Sequence, residues 1–221
     1  MGTVTIAATY GAGGSVIGPA LAKRLGLPFV DRAIPASLVE RIHEPLLAAA
    51  LADDSDTRSA LGRLLSSALG YTGLFAGVPM ADEERGIVLD VARTEAAIRK
   101  LADSGGAVIL GRAGVFVLKD RPDVLHVRLD ADVEARRRAA MAYEGLDYKV
   151  VARKQRESDL ARRAYIEHCY PRAGAWEHPR HYHLILDSTA ISLDTCVDII
   201  TRAARDLFAK SAGAQKSPGE G

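Results

Sequence analysis

Apolar residues in this chain fall into short runs separated by longer stretches of helical period. The runs Thr3–Thr9 (TVTIAAT), Pro28–Asp31 (PFVD), Ala107–Leu110 (AVIL), Val124–Leu129 (VLHVRL) and His183–Asp187 (HLILD) predict five strands. After the first, Ile17, Leu21 and Leu25 recur at helical spacing, and Gly26 supplies a helix stop. Residues 35–70 are helical in pattern, with a break near Asp53–Thr57. Residues 71–86 carry three glycines and a proline and predict a long loop. Ile87–Asp103 predicts a helix with Ile87, Val91, Ile98 and Leu101 on one face. Asp132–Tyr143 and Asp147–Ile166 predict two highly charged helices, followed by an irregular stretch over 167–181. Leu193–Phe208 predicts a closing helix that buries Val197, Ile200, Ala204 and Leu207. Residues Ser211–Gly221 are small and polar and predict a disordered tail.

Short apolar strands alternating with helices indicate an α/β fold whose parallel sheet is covered on both faces. Such sheets bind ligands beyond the carboxyl ends of their strands. The candidate positions are therefore Tyr10–Gly18, Asp31–Arg32, Gly111–Arg112 and Asp130. No internal repeat is visible.

Composition narrows the class without naming it. With 221 residues, 48% of them hydrophobic and 26% charged, the chain suits one α/β domain. A formal charge of +1 provides no field to draw the whole protein onto nucleic acid or an anionic membrane, so neither is expected as a partner. No apolar run approaches the ~18 residues of a membrane helix. The opening MGTVTIAATYGAGG does not read as a signal peptide. Cys169 and Cys196 have no metal-ligand spacing, and a reduced cytoplasmic location is expected. His178, His181 and His183 lie near Cys169 but in a spacing foreign to zinc sites; they are expected at the edge of strand five. Trp176 is expected to pack in the same irregular stretch. Arg136, Arg137 and Arg138 predict a solvated helix face.

The turn YGAGGSVIG over 10–18 carries the chemistry. Glycines let backbone amides converge on an anion, and a following helix adds positive potential. Gly11, Gly13, Gly14 and Gly18 are suitably spaced, and Ser15 offers a hydroxyl to Mg²⁺. Phosphate loops also carry a lysine before that hydroxyl. Gly14 occupies the position here, and Lys23 lies two turns further on. Losing that cation costs on the order of several kcal/mol of transition-state stabilisation unless arginines replace it. Pro19 suits a helix capped at Gly18; a helix beginning at Gly14 or Ser15 would lose one early hydrogen bond to it. Two other accounts of the turn stand beside this one. It is a strand-to-helix connection without a ligand, or a dinucleotide fingerprint in which Gly11, Gly13 and Asp31 fit but Val16 replaces the third glycine.

The opening IAATYGAGGSVIGPALAKRLGLPFVD resembles that of cytidylate kinases and, more closely, of cytidylate-kinase-like proteins, a group that also tends to lack the loop lysine. The resemblance continues through GRAG at 111–114, LDADVEARRR at 129–138, KQRESDLARRAYIEH at 154–168 and YHLILDSTAISLD at 182–194. It implies a three-layer P-loop NTPase fold of the nucleoside monophosphate kinase type over residues 1–210. An acceptor-binding insertion falls at about 35–85 and a lid at about 145–181. It implies ATP and Mg²⁺, nucleotide substrates, and phosphoryl transfer to a nucleoside monophosphate. Gly11, Ala12, Gly13, Gly14, Ser15 and Val16 would hold the donor, with Ser15 meeting the metal. Asp31, Arg32 and Arg112 would hold the acceptor. Arg112, Arg156, Arg162 and Arg163 would carry catalysis, since a guanidinium bonds phosphate oxygens in pairs. Departures are Ala113 and Arg32, Ser37 where an arginine is usual, and Leu160 in the lid. They leave room for a catalytically degenerate nucleotide-binding module.

Overall fold

A computed structural model describes residues 2–31, 83–111 and 113–214. The elements are β1 (Thr3–Ala8), α1 (Gly14–Leu25), β2 (Phe29–Val30), α2 (Glu83–Asp103), β3 (Val108–Leu110), α3 (Gly114–Val117), β4 (Val124–Asp130), α4 (Val133–Glu144), α5 (Tyr148–Cys169), a 3₁₀ turn at Pro179–His181, β5 (Leu184–Asp187) and α6 (Leu193–Ala214). The expectations for 35–82, Arg32, Ser37 and Arg112 fall outside the described residues.

All five strands are parallel, in the order β2-β3-β1-β4-β5. β1 is central, with Val4 opposite Val108 on one side and Leu125 on the other. A dinucleotide fold runs 3-2-1-4-5-6, whereas here β3 lies between β1 and β2. Strand alternation sends Val4, Ile6, Ala8, Leu125, Val127 and Leu129 to one face. There they pack with Ile17 and Leu21 of α1 and Val197, Ile200 and Ala204 of α6. Ile98, Ala102, Ala107, Ile109, Leu118 and Val124 form a second cluster. Each fully buried Ile or Leu stabilises the fold by about 2 kcal/mol.

Local chemistry sets the helix ends. α1 stops at Gly26, whose φ of 66° lets its amide reach the carbonyls of Ala22 and Lys23. Asp132 caps α4 by accepting from the amides of Glu134 (2.9 Å) and Ala135 (3.2 Å). Ser192 accepts from the amide of Thr195 at the start of α6. Several helix limits settle or shift the expected ones. α1 begins at Gly14, so Pro19 lies inside it and leaves the Ser15 carbonyl without its i+4 donor. α2 starts at Glu83, four residues into the expected loop. α6 runs on to Ala214 where a tail was expected, and Ser211 Oγ there donates to Pro122 O at 2.6 Å.

Candidate phosphate-binding site

β1 ends at Ala8, and the chain turns into α1 through backbone geometry that glycine favours. Gly11 has φ 83° and Gly13, the N-cap of α1, has φ 69°. The Ala12 amide donates to Thr9 O (3.1 Å), and those of Val16 and Ile17 donate to Gly13 O. The amides of Gly13, Gly14 and Ser15 have no hydrogen-bond partner among the described residues. They stand at the N-terminus of a twelve-residue helix, where the macrodipole favours negative charge. Ser15 and Val16 are exposed beside them.

Packing fixes the loop closely. A Cβ on Gly11 would lie 2.3 Å from the main-chain oxygen of Arg136, and one on Gly14 would lie 2.7 Å from the Ala8 methyl. A Cβ on Gly13 would lie 2.8 Å from Leu193. Ser188, just past β5, donates its hydroxyl to Ala12 O at 2.8 Å. The wall beyond it is an Asx turn, in which Asp187 Oδ1 accepts from the Thr189 hydroxyl and the amides of Thr189 and Ala190. Those bonds, the Thr189 hydroxyl first, hold the Asp187 carboxyl below its ordinary range.

A cluster of arginines and carboxylates lies against the start of the loop. Thr9 Oγ1 donates to Asp130 Oδ1 (2.9 Å), and Arg128 pairs with the same carboxylate. Arg136 is buried; its Nη1 donates to Tyr10 O and to Asp159 Oδ2, both at 2.9 Å. Asp159 Oδ1 accepts from the Tyr10 amide (3.3 Å) and from Arg162 Nη1 (3.1 Å). Tyr10 Oη donates to Glu144 (2.7 Å), which also pairs with Lys154 (2.6 Å). The guanidinium groups of Arg128 and Arg162 sit over the ring of buried Trp176, 5.2 and 5.6 Å from its centre. Arg128, Arg136 and Arg162 thus lie with Asp130 and Asp159 against the start of the loop.

Gly11, Ala12, Gly13, Gly14, Ser15 and Val16 form one loop and helix start at the carboxyl end of β1. Of the lid arginines, Arg162 joins the cluster at that loop. Arg163 is exposed and 3.8 Å from Glu177, and Arg156 is exposed on the same helix. Asp31 follows β2 at the surface. Arg112 lies outside the described residues; Gly111 before it and Ala113 after it in sequence take positive φ, 75° and 54°. The expected solvated face of α4 needs correction. Arg136 is 6% exposed, and Arg137 is engaged by Glu134, Gln155 and Tyr148. His126 has partners on both sides. It stacks on His183 at 5.2 Å and bonds Thr5 through Nδ1 at 2.7 Å. Among the described residues no group of histidines, cysteines and acids is arranged to hold a metal.

Asp159, Arg128 and Arg136 were not singled out as site residues by the sequence. A signal for Arg128 exists. β4 alternates Val124, His126, Arg128 and Asp130 against Leu125, Val127 and Leu129, a polar period of two in a strand flanked on both sides. Arg136 has no such signal, since its neighbours Arg137 and Arg138 have the same chemistry and different surroundings.

The family model described as the cytidylate kinase-like family matches residues 3–190. An uncharacterised protein from Eubacterium ventriosum ATCC 27560 has the same fold, with TM-score 0.62 and 18% identity, covering 93% of this chain and 99% of that one. A gluconokinase from Sinorhizobium meliloti 1021 is similar at TM-score 0.48 and 16% identity, covering 97% and 95% of the two chains. A shikimate kinase from Acinetobacter baumannii is similar at TM-score 0.44 and 15% identity, covering 93% and 94%. No curated protein matches the chain.

Proposed function

This chain belongs to the cytidylate kinase-like family, and from that premise we propose that it transfers the γ-phosphoryl group of ATP to a nucleoside monophosphate of the CMP or dCMP type. The observation that carries the proposal is the N-terminus of α1, where the amides of Gly13, Gly14 and Ser15 have no partner among the described residues at the carboxyl edge of a parallel sheet. That arrangement suits the donor's phosphates. The exposed Ser15 hydroxyl suits the Mg²⁺ that accompanies them. When bound, that ion neutralises charge on the donor oxygens.

In this mechanism an acceptor phosphate oxygen attacks the γ-phosphorus in line. The bond to the β–γ bridging oxygen breaks, and ADP departs. No protein nucleophile takes part. The chain's work is to orient two anions and spread the charge that develops between them. The loop amides hold the donor. Arg162, bonded to Asp159 beside the loop, and the exposed Arg156 and Arg163 on the same helix are the guanidinium groups assigned to the transferring phosphoryl group. Asp31, Arg32 and Arg112 hold the acceptor. Guanidinium groups from α5 then supply the charge that Gly14 does not.

A second proposal has its own support. Gly14 in place of the loop lysine, with Ala113 after Arg112, favours a module that binds a nucleotide without turning it over. Purified protein is mixed with ATP, Mg²⁺ and each nucleoside monophosphate in turn, following ADP release and the ligand-induced shift in melting temperature. Turnover with a pyrimidine monophosphate supports the kinase, and a shift without turnover supports the binding module. Neither turnover nor shift removes both.

A further inference from the structure

Helices α4 and α5 meet the phosphate loop at Tyr10, and they hold it at both ends of its own backbone. The Tyr10 amide donates to Asp159 Oδ1 at 3.3 Å, and the Tyr10 carbonyl accepts from Arg136 Nη1 at 2.9 Å. The same arginine nitrogen donates to Asp159 Oδ2 at 2.9 Å. Arg136 is itself fixed. Its Nε donates to Ala131 O at 3.2 Å and lies 3.8 Å from Asp130 Oδ1, and its side chain is 7% exposed. Its main-chain oxygen closes over the next residue, where a Cβ on Gly11 would come within 2.3 Å.

A cation this deeply buried is costly unless its bonds are satisfied. Here those bonds go to a loop carbonyl, an adjacent backbone oxygen and a carboxylate on the neighbouring helix. Nη1 and Nε are thereby committed to protein acceptors. The side chain acts on the backbone that shapes the anion site.

We propose that Arg136 is a positioning residue of the phosphate loop. Its guanidinium, steadied by Asp159, fixes the Tyr10 carbonyl and with it the left-handed turn at Gly11 that sets the amides of Gly13, Gly14 and Ser15. This deepens the proposed function, and rests on it only in taking the bound anion to be a phosphate chain. Lysine is not an equivalent replacement, because it lacks the Nε–H that anchors the side chain on Ala131 O while the terminal nitrogen bonds the Tyr10 carbonyl and Asp159.

The test uses the full chain with Arg136→Lys, Arg136→Ala and, as a control, Arg99→Ala, which removes an exposed ion pair with Glu95 on α2. Hydrogen exchange is followed by mass spectrometry over residues 8–16, with β4 and α6 as internal references. Calorimetry measures affinity for inorganic tripolyphosphate. Arg136→Lys is expected to exchange about tenfold faster over 8–16 with the references unchanged, and to bind tripolyphosphate about tenfold more weakly. Arg136→Ala is expected to exceed both effects, and Arg99→Ala to show neither. If Arg136→Ala loosens the whole protein, Arg136→Lys decides. Unchanged exchange over 8–16 in the lysine variant overturns the proposal, as does faster exchange with undiminished tripolyphosphate binding. If the wild type binds no tripolyphosphate, the proposed function loses its anion site. The exchange measurement still decides whether Arg136 holds the loop.

Discussion

Replacing Gly11 with alanine separates two costs that usually occur together. The first is conformational: Gly11 has φ 83°, and a side chain in the left-handed region costs about 1–2 kcal/mol. The second is steric, since the new Cβ would lie 2.3 Å from Arg136 O and 2.9 Å from Arg136 C. Non-bonded carbon and oxygen rest more than an ångström further apart than the first of these, so the loop or the start of α4 has to shift. Both helix-side bonds to Tyr10 are disturbed by either movement. Losing one charge-assisted hydrogen bond costs about 1.5–3 kcal/mol. The sum is roughly 2.5–5 kcal/mol for Gly11→Ala. Gly26→Ala is the internal reference, because Gly26 has φ 66° and a Cβ there would meet nothing within 4 Å. It is expected to lose about 1 kcal/mol, the conformational part alone. Urea unfolding followed by circular dichroism gives both values. Equal losses for the two variants would refute the close approach of α4 to the loop.

Three further outcomes are expected. His126 is held neutral by burial, first, and by the neighbouring His183, which push its pKa down from 6.5 to about 4. Its contribution to stability is therefore complete above pH 6.5 and is lost as pH falls towards 4, by about 3 kcal/mol at 1.36 kcal/mol per pH unit; His126→Gln flattens the decline in urea midpoints between pH 7 and 4.5, and parallel curves would count against it. Glu157 is buried on α5 with neither carboxyl oxygen hydrogen-bonded, and desolvation raises its pKa despite Arg153 and Arg156; since a raised carboxyl pKa weakens the fold as pH rises, Glu157→Gln unfolds at higher urea than wild type at pH 7 and loses that advantage near pH 4, and an equal or lower midpoint at pH 7 would contradict the assignment. Ser188→Ala removes the bond to Ala12 O and is expected to cost about 1 kcal/mol and to weaken ATP binding, measured by calorimetry; unaltered affinity would show that this contact does not shape the loop.

The strands were legible because each is a short apolar run closed by a polar or glycine residue, and all five appear within one or two residues of their expected ends. Helix limits were less so. Gly13 and Gly18 both suit a cap, and the choice is made by packing: Gly18 lies against Phe29, while Gly13 takes the left-handed turn. The extension of α6 rests on Ser211 reaching Pro122, a contact 89 residues away in sequence that no local pattern encodes. The same limit governs the site. The glycines announce a candidate phosphate loop, because amide convergence is a property of the local chain. The burial of Arg136 and the placement of Asp159 follow from the docking of α4 and α5 on that loop. Three consecutive arginines on one helix differ only in what each meets.

The central position of β1 also sets a timetable for synthesis. Val4 pairs with Val108 and Leu125, so β1 is flanked on both sides only after a long intervening stretch of chain has been translated. Until then TVTIAA is an apolar, β-prone segment without its neighbours, and the glycine turn that follows has no α4 to rest against. Closing contacts over such separations is slow compared with local helix formation. β1 is thus exposed to misassociation until β4 has been made, and the glycine turn takes its described shape only once α4 and α5 have followed.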